Sequence, residues 1–173
     1  MSRMVGILVC TLAGCPADPL PEQPEFYDLE QMLDPKTCET CHPDHYKEWS
    51  GSMHAYASDD PVFLAMNARG QRETNGELGD FCVKCHAPMA VRLGLTTDGL
   101  NLDEVPEYAQ GIGCYFCHTI DKVTGTHNAA LENADDLVMR GAIKDPVANE
   151  AHASAHSPLL DRSDIRSADL CGS

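Results

Sequence analysis

Three short segments of this 173-residue chain place two cysteines three positions apart and a histidine directly after the second. They are Cys38-Glu39-Thr40-Cys41-His42, Cys82-Val83-Lys84-Cys85-His86 and Cys114-Tyr115-Phe116-Cys117-His118. Thiols at i and i+3 share one face of a helical turn, so both can bond the two vinyl groups of one porphyrin. The next residue then offers its imidazole to the iron as proximal ligand. C-x-x-C-H is for this reason the attachment signature of haem c. Two C-x-x-C pairs could instead build a four-cysteine zinc site, but three pairs leave one over. Neither zinc nor an iron–sulfur cluster requires the adjacent histidine. The expected cofactor is therefore haem c, with three complete motifs. Cys171-Gly172-Ser173 reads as the opening of a fourth, as in a fragment of a longer protein.

Each iron has two axial positions. His42, His86 and His118 supply the proximal ligands, and the partners come from the other histidines. His54, on a predicted helix after the first motif, is the first candidate. His152 and His156 are four apart and would face the same way on a helix; at least one is expected to ligate. His127 sits in a Gly-Thr loop and is a further candidate metal ligand. His45 shares the helix turn of His42 and is expected to pack on a porphyrin edge or face solvent. Met53, Met66, Met89 and Met139 read as packing residues. No catalytic residue is assigned.

The elements that must position these groups are mostly helical, giving a mainly α fold with long loops wrapped around stacked haems. Pro43 to Ser58 is predicted helical, with Pro43 in the first turn and His45, Trp49, Ser52, Met53 and Tyr56 on one face. Asp60-Pro61 starts another helix, carrying Val62, Phe63 and Met66 toward Gly70. Residues 71–79 read as a loop, and Asp80 as the cap of a helix bearing the second motif. Gly111 and Gly113 are expected to let the backbone approach a porphyrin closely. Asn133 to Met139 and Asn149 to Ser157 read as helices. No run alternates clearly enough to predict a sheet.

Composition sets further bounds. Aromatics are 6% of the chain, with one Trp, so the protein's own core is thin. Porphyrins would supply the missing apolar bulk, and folding is expected to depend on them. The formal net charge is −15. That excludes nucleic acid as a partner and fits docking to a redox protein with a basic surface.

Residues 1–14 read as an export signal: Arg3, then an apolar run from Met4 to Ala13 too short to span a bilayer. Leu12-Ala13-Gly14-Cys15 resembles the lipobox of bacterial lipoproteins, which implies acylation at Cys15 and a membrane lipid anchor. Pro16 after the cysteine favours the outer membrane. Export to the periplasm or cell surface is also what c-type haem attachment implies. Residues 15–35 hold five prolines among acidic residues and read as an extended tether. The haem-binding domain is expected over 36–173.

Cys38 to His42, followed by Trp49-Ser50-Gly51-Ser52-Met53-His54-Ala55, resembles the C-x-x-C-H…W-x-x-S-x-H-A pattern of a multihaem cytochrome family. This family includes the nitrifier tetrahaem electron-transfer cytochrome and its relatives, the octahaem hydroxylamine oxidoreductases. Gly111 to His118 resembles the same family's third segment, and Ser157-Pro158-Leu159-Leu160 its approach to the next haem. The resemblance implies that His54 is the distal ligand of a haem other than the one bound just before it. It also implies haems stacked in parallel and perpendicular pairs. No counterpart of the tyrosine cross-link segment of the hydroxylamine enzymes is recognisable. The expected function is electron transfer between periplasmic or membrane partners; the alternative is a reductase or oxidase of small nitrogen or sulfur compounds at a five-coordinate haem.

Overall fold

The computed structural model describes residues 26–173. The expected signal segment, Cys15 and the start of the tether lie outside the described residues.

The helices begin where short polar side chains and prolines dictate. Asp28 opens α1 (Leu29–Leu33) in a reciprocal capping box with Gln31. Asp34 caps α2 (Pro35–Glu39) through the Lys36 N–H, with Pro35 at the first position. α3 (Pro43–Ser50) starts at Pro43 directly after the first motif, and Gly51 ends it. The chain expected as an extended tether is thus helical from Leu29 onward, because Met32 and Leu33 have a core to enter. The helix expected to run to Ser58 stops at Ser50. A series of turns follows, in which Met53 and Tyr56 are exposed and the Tyr56 hydroxyl donates to Met53 Sδ at 2.7 Å.

Asp60 caps α4 (Pro61–Glu73) through the Val62 N–H. This helix continues past Gly70 into the expected loop, held there by Gln71, whose side-chain amide donates to the carbonyls of Gly79 and Asp98. The second motif lies on α5 (Val83–His86), followed by α6 (Pro88–Arg92). Asp80 does not cap α5 with its side chain; its carbonyl instead accepts from the Lys84 N–H. The third motif is α7 (Cys114–His118).

After α7 the chain forms strands rather than the expected helices. β1 (Ile120–Val123) pairs antiparallel with β2 (Leu131–Asn133), and β3 (Val138–Gly141) pairs parallel with β4 (Ala153–His156). α8 (Ser167–Gly172) follows. None of these strands exceeds four residues, too short for alternation to register in the sequence. Their hydrogen bonds fix them instead: Asn133 Nδ2 donates to the Phe116 carbonyl and the Thr119 hydroxyl, tying β2 to the end of α7.

Two small cores result. One gathers Phe63, Val83, Ala87, Ala90, Leu102, Val105 and Ala109 around the second motif. The other joins Met32, Leu33, Met89 and Tyr115 between α1, α6 and α7. Three of the seven in the first core are alanines, which bears out the thin core read from composition.

Candidate haem-attachment site

Each motif adopts the helical turn its spacing requires. The His42 N–H donates to the Cys38 carbonyl at 2.8 Å and the His86 N–H to the Cys82 carbonyl at 3.3 Å, while Cys114 to His118 lie within one helix. Both thiols of each pair can thus address one side of the turn.

The second motif opens onto a cavity of about 390 Å³. Cys82, Cys85 and His86 all line it, with Val62, Phe63, Met66 and Phe81. Val62, Met66 and Phe81 are 68%, 57% and 50% exposed, an apolar surface that water covers poorly and a porphyrin face would cover well. Two thiols, an imidazole and an apolar bed at one cavity form the donor set of a covalent haem, so the residues fit the group. His86 is fixed from behind. Its Nδ1 lies 2.7 Å from the Ala57 carbonyl, and the Phe63 ring stacks on the imidazole at 3.9 Å between centroids. Burial pushes the Cys85 thiol up from its ordinary value.

The first and third motifs meet. The neighbouring Cys114 thiol holds Cys38 down at about 7, and Cys38 in turn pushes Cys114 up. A β-carbon at Gly113 would lie 3.5 Å from the Pro35 ring and 3.6 Å from the Leu33 carbonyl. Gly111 has φ +60°, and a β-carbon there would lie 2.6 Å from the Ala55 carbonyl. These glycines are expected to make room for a porphyrin; at Gly111 it is the backbone of His54 and Ala55 that leaves no room for a side chain, while Gly113 has ordinary contact distances. Partial loss of hydration lowers His42, and the charges of His45, His152 and His118 lower it further. His118 Nδ1 is hydrogen-bonded to the Arg140 carbonyl in β3.

The other expected residues are placed as follows. His54 is exposed, and its carbonyl accepts from the Ile112 N–H at 2.9 Å. His152 precedes β4 and His156 ends it. The expected helix is not formed, and the two side chains have different partners: His152 Nδ1 lies 3.2 Å from the Ser154 hydroxyl. His156 Nε2 lies 3.4 Å from Asp161 Oδ2. His127 is exposed, next to Asn128, which lines the second-motif cavity. His45 is exposed, its ring 6.0 Å from that of His42. Cys171 lies on α8; burial raises Cys117 to about 11, and Cys171 adds to that rise. The sequence reading missed Phe63 and Ala57 as neighbours of His86, and no local pattern joins residues so far apart.

Comparison with family models matches residues 37–119 to the family described as cytochrome c554 and c-prime. Residues 37–119 are a multihaem cytochrome c domain of this family. The matched stretch of this multihaem cytochrome holds all three complete motifs, the Trp49 to His54 element and the cavity residues from Asp60 to His86. Neither curated proteins nor solved structures give a match.

Proposed function

We propose that this multihaem cytochrome carries single electrons between periplasmic or membrane redox partners, through haems held at the three motifs. Haem c supplies a one-electron ferric/ferrous couple. The observation that carries the reading is the meeting of the first-motif and third-motif segments, where the Trp49 indole donates to the Ile112 carbonyl at 2.8 Å and the Ile112 N–H donates to the His54 carbonyl at 2.9 Å. Attachment segments bonded together in this way would hold their two porphyrins close, the arrangement a relay needs. The chain's residues do the rest. His42, His86 and His118 would ligate the irons, and His54, His127, His152 and His156 are the candidates for the opposite positions. The Ala57 and Arg140 carbonyls hold the Nδ1 protons of His86 and His118, leaving each Nε2 lone pair free to bind metal.

The proposal extends to a lipid anchor at Cys15, which would tether the domain to the outer membrane, and to a basic docking partner drawn by the −15 formal charge. Two measurements test it. The mass of the exported protein should show three haem increments plus acylation. Reduction by a basic partner should slow several-fold as the screening length falls from ~30 Å at 0.01 M salt to ~8 Å at 0.15 M; a salt-independent rate removes the docking model.

One observation favours the second reading, an enzyme with an open iron, toward which kinship with the octahaem hydroxylamine oxidoreductases would also lean. Among the described residues, no second histidine lines the cavity beside His86. Carbon monoxide binding to the reduced, fully loaded protein would support that reading. Inertness would favour the carrier, with the His127→Ala variant then expected to bind the gas if His127 closes that site.

A further inference from the structure

We infer that Phe63 is a positioning residue for His86, fixing the plane of the imidazole that would ligate the iron at the second motif. The inference rests on reading His86 as an iron ligand. Two contacts constrain the ring. Its Nδ1 lies 2.7 Å from the Ala57 carbonyl. A carbonyl only accepts, so Nδ1 carries the proton and Nε2 keeps its lone pair. That bond fixes one atom and one direction, but the ring can still swivel about the Nδ1···O line. The Phe63 ring removes this freedom, because its plane is 5° from that of the imidazole at a centroid distance of 3.9 Å.

Phe63 is itself immobilised. It is 6% exposed and packs in the core with Val83, Ala87 and Leu102. It sits in the first turn of α4, where Pro61 and the Asp60 cap set the helix start. Ala57 and Phe63 lie on either side of that start, so one short stretch supplies both constraints. His118 shows the contrast: it has the carbonyl contact, to Arg140, and no aromatic ring stacked on it among the described residues. Outer partners of a metal-bound histidine set ring orientation and ligand basicity, and through them the iron's potential.

The test uses exported, haem-loaded protein whose mass gives the same haem count as the parent. Phe63→Leu keeps most of the core volume without a flat ring; Phe63→Tyr keeps the ring. The ferric electron paramagnetic resonance spectrum and the midpoint potentials are recorded for each, with His86→Ala identifying the signal of the second motif. Phe63→Leu is expected to change that one signal and move one midpoint, leaving the others in place, and Phe63→Tyr to restore both. A Phe63→Leu protein with the parent's spectrum and potentials overturns the inference, as does a Phe63→Tyr protein that behaves like Phe63→Leu. If His86→Ala alters no signal, the ligand reading falls instead. Should Phe63→Leu fail to load haem, ring-labelled phenylalanine in the parent decides. One of the four phenylalanines should be shifted by the iron and show contacts to a ligand imidazole; absence of such a ring overturns the inference.

Discussion

Around His86 the chain has built a socket from its own nearby parts. Phe63 and the Ala57 carbonyl hold the imidazole, a core of seven side chains lies behind, and the cavity wall is already apolar. Around His42 and His118 the arrangement is reciprocal. The Trp49 indole donates to the Ile112 carbonyl at 2.8 Å, the Ile112 N–H donates to the His54 carbonyl at 2.9 Å, and the Gly111 N–H donates to the Ser58 hydroxyl. His42 itself is exposed. The contrast teaches that repeated motifs in one chain need not be independent modules. The second can be assembled by itself, whereas the first and third each complete the other.

The largest effect should come from removing attachment points. Cys82→Ser with Cys85→Ser is expected to cost the exported protein one haem increment in its mass. Cys38→Ser with Cys41→Ser should cost more than one, because the third motif loses its neighbour. Equal losses from the two double variants would break the contrast. Next comes the joint between the paired motifs. Gly111→Ala forces a left-handed backbone on a residue with a β-carbon, costing about 1–2 kcal/mol, and drives that carbon against the Ala55 carbonyl. A total loss of at least about 2 kcal/mol is expected in thermal unfolding of the loaded protein. Gly76→Ala is the control: φ is +84° but nothing lies within 4 Å, so about 1 kcal/mol is expected. Trp49→Phe keeps the ring and deletes one hydrogen bond, leaving the Ile112 carbonyl without its donor, for about 1–2 kcal/mol.

The smallest effect is a titration. In the haem-free chain, Cys38 should alkylate with a midpoint near pH 7, because the Cys114 thiol stabilises its thiolate. Thiolate is the reacting form, so labelling of Cys38 between pH 7 and 9 should outpace that of Cys117, which burial holds up at about 11. Cys114→Ala should slow Cys38 and leave Cys117 unchanged. A Cys38 rate insensitive to Cys114 would mean that the two motifs meet only once haem is present.

The cofactor chemistry was legible because it is written in consecutive residues: Cys, Cys and His within five positions, three times over. The starts of α3 and α4 were legible for the same reason, since an Asp or a Pro acts on its immediate neighbours. The packing of His86 was not. The stack with Phe63 and the contact with Ala57 join segments 23 to 29 residues apart through a fold the local pattern does not encode. The strands after α7 escaped notice because three- and four-residue ladders lack room for a period. Asn133 reads as a polar loop residue until its two bonds to the end of α7 are seen. His152 and His156 show another case: the helix expected to carry both is absent, and only His156 lies in a strand.

The stretch from Trp49 to Phe63 contacts His86 and the residues just before the third motif, and this has a consequence in time. A chain threaded outward from its N-terminus delivers this stretch well before its partners. Ala57 waits 29 residues for His86, Ser58 waits 53 for the Gly111 N–H it accepts from, and Trp49 waits 63 for Ile112. Contacts so distant in sequence form late. Attachment machinery acting on the emerging chain would therefore meet Cys38 and Cys41 before these long-range contacts form.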